Sequence, residues 1–196
     1  MKAYPIVVVM LAVTLISQGE SLAKEPPPIE RQSRFSGRAG WMVLHHDLSN
    51  SLCCGSMESL QMHGPTAGLR ASYRFHSNLD LSFHFAAALG LTADDDTFPK
   101  VSKLRFYEVG GTLDVLLARE AFEFSLGFGG TAWLVEGEVS HGTDVETLHE
   151  TGPAATAIVA GRMPFGERLW LGAEVTASSN FSTSSAGLVF TTTLHF

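Results

Sequence analysis

The sequence predicts an all-β fold in which eight antiparallel, up-and-down strands close into a transmembrane barrel. Three observations support this prediction. Apolar and polar residues alternate with a period of two along most of the chain, long and short connections alternate between these segments, and the chain begins with a secretory signal. A closed barrel suits a bilayer because no strand edge is left unpaired in hydrocarbon.

Residues 1–23 have the pattern of a cleavable signal peptide. Lys2 gives a positive start, residues 6–16 form an apolar run, and Ser21 and Ala23 supply small side chains near the cleavage site. The alternative, an N-terminal membrane anchor, requires ~20 apolar residues, which is more than this run provides. We therefore expect the signal to be removed.

The remaining sequence amounts to one domain. Residues 24–33 contain three consecutive prolines and are expected to form an extended periplasmic linker, and residues 34–196 are expected to form the barrel. The net charge of -7 argues against nucleic acid as a partner, because the chain lacks a basic stripe. Cys53 and Cys54 are adjacent, so they cannot link distant elements.

The third segment has the clearest strand pattern. Every second residue from Leu79 to Leu91 is apolar and shares one face, whereas Asp80, Ser82 and His84 lie on the other. The sixth segment is rich in alanine and glycine, and its two faces cannot be told apart. The eight predicted strands cover residues 35–45, 66–75, 79–91, 104–117, 121–135, 153–163, 168–177 and 184–196.

The connections between these strands indicate an orientation. Long connections on one side and tight turns on the other are typical of outer-membrane barrels, whose long loops face outside. An even number of strands then places both termini in the periplasm. The long connections are residues 46–65, 92–103, 136–152 and 178–183, and the short ones are 76–78, 118–120 and 164–167.

The last strand ends in an aromatic residue. Leu188, Phe190, Thr192, Leu194 and Phe196 alternate on one face. A terminal phenylalanine on such a strand resembles the signal by which bacterial outer-membrane barrels are recognised for assembly. The chain as a whole resembles the small eight-stranded outer-membrane barrels of OmpA-barrel, OmpX and Ail type. This resemblance implies an outer-membrane location and contact with the barrel assembly machinery, outer-membrane lipid and lipopolysaccharide.

A secreted soluble sandwich or a lipocalin-like barrel is the alternative, because alternation alone does not reveal which face is buried. Two features favour the membrane. The polar face combines small residues with ionic ones, as a narrow eight-stranded lumen requires. The other face carries large side chains such as Phe83, Phe85, Phe124 and Phe128, which lipid would receive.

This assignment of faces directs charged and titratable side chains into the lumen. Buried charges persist only when they are paired. The tight turn at Ser77 is expected to place Arg74 opposite Asp80 and Arg70 opposite His84. The predicted lumen residues are Arg38, Arg70, Arg74, Asp80, His84, Glu108, Asp114, Glu123 and Glu174.

Two of these acids require a cation. The turn near residue 119 is expected to bring Asp114 close to Glu123, and adjacent carboxylates are unfavourable alone. We expect Arg38 or Arg74 to lie within salt-bridge distance of one of them. The network is interpreted as a polar plug, with a charged gate or narrow ion path as the alternative.

The first long connection and its flanks contain candidate metal ligands. His45, His46, Cys53, Cys54 and His63 combine thiols and imidazoles, which are ligands for zinc or copper. Their spacing matches no structured metal motif. An exposed loop with incidental ligands is therefore the alternative to a metal site.

No catalytic motif emerges, and no cofactor is expected. The sequence favours a non-enzymatic barrel that presents acidic loops, either for contact with a surface or envelope protein or as part of envelope structure. The alternatives are a lipid A-modifying enzyme, with His76–Ser77 or His46 and Ser49 as candidate pairs, and a narrow pore. The acidic loop residues are Asp94, Asp95, Asp96, Glu136, Glu138, Asp144, Glu146 and Glu150.

Overall fold

The chain forms eight β-strands in the computed structural model. The structure describes residues 33–46, 60–93, 100–118, 122–141, 144–180 and 183–196. Among these residues, no helix is long and apolar enough to cross a membrane. The strands are Ser33–His46 (β1), Leu60–His76 (β2), Leu79–Ala93 (β3), Lys100–Ala118 (β4), Glu123–His141 (β5), Asp144–Pro164 (β6), Leu169–Ser179 (β7) and Thr183–His195 (β8).

The sheet closes on itself through its first and last strands. Each strand pairs antiparallel with its neighbours in the sequence, and β1 also pairs with β8. The hydroxyls of Ser36 and Thr193 lie 2.8 Å apart across this seam, and the Phe196 N–H donates to the Ser33 carbonyl at 2.9 Å. The predicted closed, eight-stranded antiparallel barrel is therefore confirmed.

The barrel has two distinct ends. The terminal end holds the first residue of β1, the last residue of β8, and the connections β2–β3, β4–β5 and β6–β7. The loop end holds the connections β1–β2, β3–β4, β5–β6 and β7–β8.

The hairpin of β5 and β6 extends further at the loop end than the sequence predicts. Residues 136–152 were expected to form a long loop, but β5 and β6 pair continuously as far as His141 and Asp144. That expectation is wrong. The acidic residues of the stretch concealed a strand segment, of which the inward residue Leu148 is 5% exposed.

The alternation of β3 breaks at a glycine. Gly90 has a φ of 70°, and the pairing with β4 shifts between Leu89 and Leu91. Leu89 is 57% exposed on the wall, whereas Leu91 is 5% exposed inside the lumen. The expectation that both leucines share one face is wrong, because a bulge inserts an extra residue between them.

The outward side chains form an apolar wall. Phe83 is 61% exposed while its neighbour Ser82 is fully buried, and Phe128 and Ser125 are arranged in the same way on β5. A barrel wall of large exposed apolar side chains belongs against lipid. The predicted outward orientation of the phenylalanine side chains on these two strands is thus confirmed.

Glycines on the inward face allow close approach of the strands at mid-height. A Cβ at Gly40 would lie 2.1 Å from the carbonyl oxygen of Leu188, and a Cβ at Gly129 would lie 1.9 Å from the backbone of β4. Gly40 stands between the inward residues Arg38 and Met42. The inward side chains are charged on the terminal-end side of this level and apolar on the loop-end side.

Candidate functional site in the barrel lumen

The inward side chains divide the lumen into two layers. An apolar layer lies toward the loop end, and a charged layer lies toward the terminal end. The apolar layer comprises Met42, Leu44, Met62, Ala88, Leu91, Leu104, Phe106, Trp133, Val135 and Leu148. The charged layer comprises Arg34, Arg38, Arg70, Arg74, Arg162, Asp80, Glu108, Asp114, Glu123 and Glu174, together with His84.

Glu123 joins three arginines near the terminal end. Its Oε1 lies 2.5 Å from Arg34 Nη1 and 3.1 Å from Arg162 Nη1, and its Oε2 lies 3.2 Å from Arg74 Nη2. Asp80 contacts two of the same cations: Arg34, and Arg74 through its Nε at 2.9 Å. The two carboxylates therefore share cations, and removal of any one group affects several others.

Glu174 is the centre of a second group of arginines. It is fully buried, and its carboxylate lies 3.1 Å from Arg38, 3.1 Å from Arg70 and 2.7 Å from Arg162. Because Arg162 also contacts Glu123, it connects the two groups into one network. Three guanidinium groups thus share the charge of Glu174, and two of them also contact a second carboxylate.

Asp114 has cationic and neutral partners of its own. Arg70 Nη2 lies 2.5 Å from its Oδ2, and the Thr112 hydroxyl donates to its Oδ1 at 2.8 Å. The expectation that Asp114 neighbours Glu123 is not met in the strand pairing, which sets Asp114 opposite Gly127. Ala118 lies opposite Phe124, so the two strands meet further along β5 than the turn predicted at residues 118–120 implies, and Glu123 lies closer to the terminal end.

Polar groups continue the network toward mid-height. His84 Nε2 lies 3.1 Å from Glu108 Oε1, and the Ser178 hydroxyl donates to Glu108 Oε2 at 3.1 Å. Ser178 is in turn 2.8 Å from the Thr156 hydroxyl, which lies 3.0 Å from that of Thr131. A row of hydroxyls therefore borders the charged layer on β5, β6 and β7.

All nine lumen residues that the sequence singles out are buried, and two more arginines join them. Arg34 was missed because the first predicted strand begins one residue later, although it is four positions from Arg38 and so on the same face. Arg162 was missed because the faces of the sixth segment were undecided. With both, the described lumen holds five arginines and five carboxylates, which balance in charge.

His46 forms a separate polar contact at the loop end. The ring is fully buried, its Nδ1 lies 2.7 Å from the Thr183 hydroxyl, and its Nε2 lies 2.9 Å from Glu150 Oε2. It also meets Trp133 edge-on, with ring centroids 5.8 Å apart. His46 thereby ties β1 to β5, β6 and β8 above the apolar layer.

The candidate metal ligands are not gathered at one point in the described part of the chain. His45 is exposed on the wall, on the face of β1 opposite to His46. His63 Nδ1 lies 3.2 Å from the Thr92 hydroxyl. Cys53 and Cys54 lie outside the described residues. Among the residues that are described, no group of three or more His, Cys, Asp or Glu side chains could hold a metal ion.

The candidate catalytic residues that the structure describes lie at the terminal-end turn and in the lumen, so none of them faces lipid at the loop end. His76 and Ser77 lie in the β2–β3 turn at the terminal end, where the Ser77 hydroxyl is 3.4 Å from His76 Nδ1. His46 is buried in the lumen instead of facing lipid, and Ser49 lies outside the described residues.

One small cavity remains between the layers. It has a volume of about 30 Å³, and its lining includes Arg38, Met42, Thr66, Phe106 and Glu108. A water needs ~10–15 Å³ of such space, so the cavity accommodates about two waters. Arg38, Thr66 and Glu108 in its lining would supply their hydrogen bonds.

The arrangement of strands is similar to that of solved outer-membrane proteins. Ail of Yersinia pestis matches with a TM-score of 0.56 at 10% identity, over 86% of this chain and 100% of Ail. Neisserial surface protein A matches with a TM-score of 0.53 at 12% identity, over 84% of this chain and 97% of its own. AlkL, determined in DMPC bilayers, matches with a TM-score of 0.55 at 13% identity, over 89% and 97%.

The sequence matches no protein-family model and no curated protein. At the low identities of the structural matches, the likeness concerns the fold. The chain is thus a closed eight-stranded β-barrel of the kind found in small outer-membrane proteins.

Proposed function

We propose that the protein is a non-enzymatic barrel of the bacterial outer membrane whose lumen is closed to ions and whose loop end serves surface contact or envelope structure. The filled lumen carries this proposal. An ion moving along the axis would have to disrupt paired charges in one layer and packed side chains in the other. Eight-stranded barrels leave room for side chains but little else.

The loop end faces outside in this proposal, and the terminal end faces the periplasm. The long connection between β1 and β2 and the extended β5–β6 hairpin both lie at the loop end, and they support that orientation. Glu136 and Glu138 lie on the outward side of β5 near the loop end, so some of the acids expected in loops belong to a strand. Acidic groups there suit divalent cations that bridge to lipopolysaccharide phosphates, or basic segments of a partner protein.

Ail has been solved in complex with the heparin analogue sucrose octasulfate, a polyanion. The acidic residues near the loop end of this chain favour partners of the opposite charge. We therefore propose that the loop end of this chain binds cationic partners instead of polyanionic ones.

Conductance measurements test the closed lumen. Refolded protein in a planar bilayer should give no discrete current steps, because each layer alone blocks the axis. Arg74→Ala should also remain closed, since it loosens only the charged layer and leaves the apolar layer intact. Steady single-channel currents from the unaltered protein would refute closure and favour the narrow pore.

Lipid A analysis tests the non-enzymatic role. The mass spectrum of lipid A should be the same in cells with and without the protein, because the described lumen and turns present no suitable dyad facing lipid. Loss or gain of an acyl chain that depends on the protein would instead favour the lipid-modifying alternative.

We also propose that Phe196 marks the chain for the barrel assembly machinery. Its side chain is 73% exposed at the terminal end, where that machinery would reach it. Phe196→Asp should lower the amount of heat-modifiable barrel in the outer membrane. Phe165→Asp, at a 71% exposed phenylalanine of the β6–β7 turn, is the matched control and should assemble normally. Equal amounts of the two variants would contradict this role.

A further inference from the structure

The apolar wall has a notch that crosses four strands. The strand pairing sets Phe124 beside Gly161, Gly161 beside Ala173, and Ala173 beside Phe190. Two of the smallest residues therefore lie side by side between two phenylalanines. Phe190 is 68% exposed, so its ring projects from the wall at one side of the notch.

The neighbouring rows complete the walls of this notch. Val159 and Val175 pair with each other on the side toward the loop end, and Met163 and Leu171 pair with each other on the side toward the terminal end. The space enclosed has a volume of about 490 Å³ and an almost wholly apolar lining. The ring of Phe122 covers Gly161 on the outer side of the wall, because a Cβ at Gly161 would lie 2.7 Å from it.

The notch suits a flexible apolar chain from the surrounding lipid. Transfer from lipid to protein gains no hydrophobic free energy, so retention depends on close packing. A smooth wall offers an acyl chain contact on one side, whereas the notch surrounds it on three.

A positive charge lies near the terminal-end side of the notch. Arg168 is exposed in the connection between β6 and β7, and Leu171, which lines the notch, follows it by three residues. Three residues of extended chain span ~10 Å. This separation lets a phosphate meet the guanidinium while an acyl chain of the same lipid enters the notch.

We propose that this notch and Arg168 together bind one anionic glycerophospholipid. The lipid class follows from the proposed periplasmic position of the terminal end, on which this inference rests, because glycerophospholipid forms that leaflet. One acyl chain occupies the space over Ala173, beside the Phe122 ring. The phosphate contacts Arg168, which adds a preference for negative headgroups.

Native mass spectrometry of the full chain in detergent tests this site with phosphatidylglycerol and phosphatidylcholine as probes. One bound lipid is expected, with about a fivefold preference for phosphatidylglycerol, the factor that ~1 kcal/mol from a single arginine represents. Ala173→Phe fills the notch and should abolish retention of both lipids. Arg168→Gln should keep the binding and lose the preference.

The matched control is Ala132→Phe, which adds the same ring at an exposed alanine elsewhere on the wall and should leave binding unchanged. A change in gel migration on heating identifies the folded samples. If the larger ring of Ala173→Phe prevents folding, Ala173→Leu replaces it. Equal lipid retention by the notch-filled variant and the unaltered protein would overturn the site, as would the absence of any bound lipid. Conductance and lipid A composition do not depend on the notch, so they judge the proposed function separately.

Discussion

The charged and apolar layers fill the same barrel lumen through different interactions, ion pairing in one and apolar packing in the other. In the charged layer, carboxylates depend on specific partners at hydrogen-bonding distance, as Glu174 does on Arg38, Arg70 and Arg162. In the apolar layer, a side chain such as Leu44 is fully buried by packing alone. The charged layer is thus sensitive to the loss of a single partner, whereas the apolar layer is sensitive to volume.

The comparison teaches why a small barrel benefits from both fillings. Charges fix which strand lies opposite which, because a wrong pairing leaves an ion buried alone. Apolar packing tolerates exchange of shape at constant volume but excludes water. Together they specify the arrangement of strands and seal the lumen.

The largest expected effect comes from removing the charge at Glu174. Glu174→Gln leaves three buried guanidinium groups without their shared anion, and the free energy of unfolding should fall by about 3–5 kcal/mol. Urea unfolding in lipid vesicles measures this change.

Glu138→Gln is the matched control for that experiment. Glu138 pairs with Lys103 at 2.8 Å, but both side chains are substantially exposed. Such a pair contributes about 1 kcal/mol at most. If both variants lost the same stability, the buried network would not behave as a mutually dependent group.

A smaller effect is expected in the apolar layer. Leu44→Ala should lower the free energy of unfolding by about 2–4 kcal/mol, because the fully buried site cannot collapse completely around the cavity. Leu44→Met keeps the volume and should cost under ~1.5 kcal/mol. Equal losses from both variants would indicate that shape, and not volume, governs this layer.

The smallest expected effect lies at the boundary between the layers. Gly40→Ala adds a Cβ where the Leu188 carbonyl oxygen already lies, which should cost about 1–3 kcal/mol as the strands separate. Gly37→Ala on the same strand meets nothing within 4 Å and serves as the control. The difference in urea midpoint between the two variants measures the cost of close approach, and identical midpoints would contradict it.

Alternation and turn positions were sufficient to predict the fold and most of its inward faces, but not those of the sixth segment. They also predicted contacts across a tight turn, such as Arg74 with Asp80, because a short turn fixes which residues of adjacent strands are neighbours. Contacts across the lumen, such as Arg70 with Glu174, depend on the tilt and stagger of all eight strands. A single strand's sequence carries no such information.

The errors at the strand ends have a local cause. The bulge at Gly90 turns the Leu91 side chain to the opposite face of the strand. An isolated glycine in a strand can indicate either a bulge or a close approach of backbones, so it did not identify the bulge by itself. The extension of β5 and β6 was concealed by its acids, of which Glu136 and Glu138 face outward and Glu150 faces His46, while Leu148 packs inside. Charge alone was therefore a poor guide to where strands end.

The seam between β1 and β8 has a consequence for how the barrel forms. Ser36 and Thr193 meet across it although 157 positions separate them in the chain. Contacts of such long range are slow to form, because the loop-closure entropy is lost before any contact compensates for it. Until the seam closes, the growing sheet has two free edges that can pair with other chains. The time spent as an open sheet thus determines whether the protein closes or aggregates.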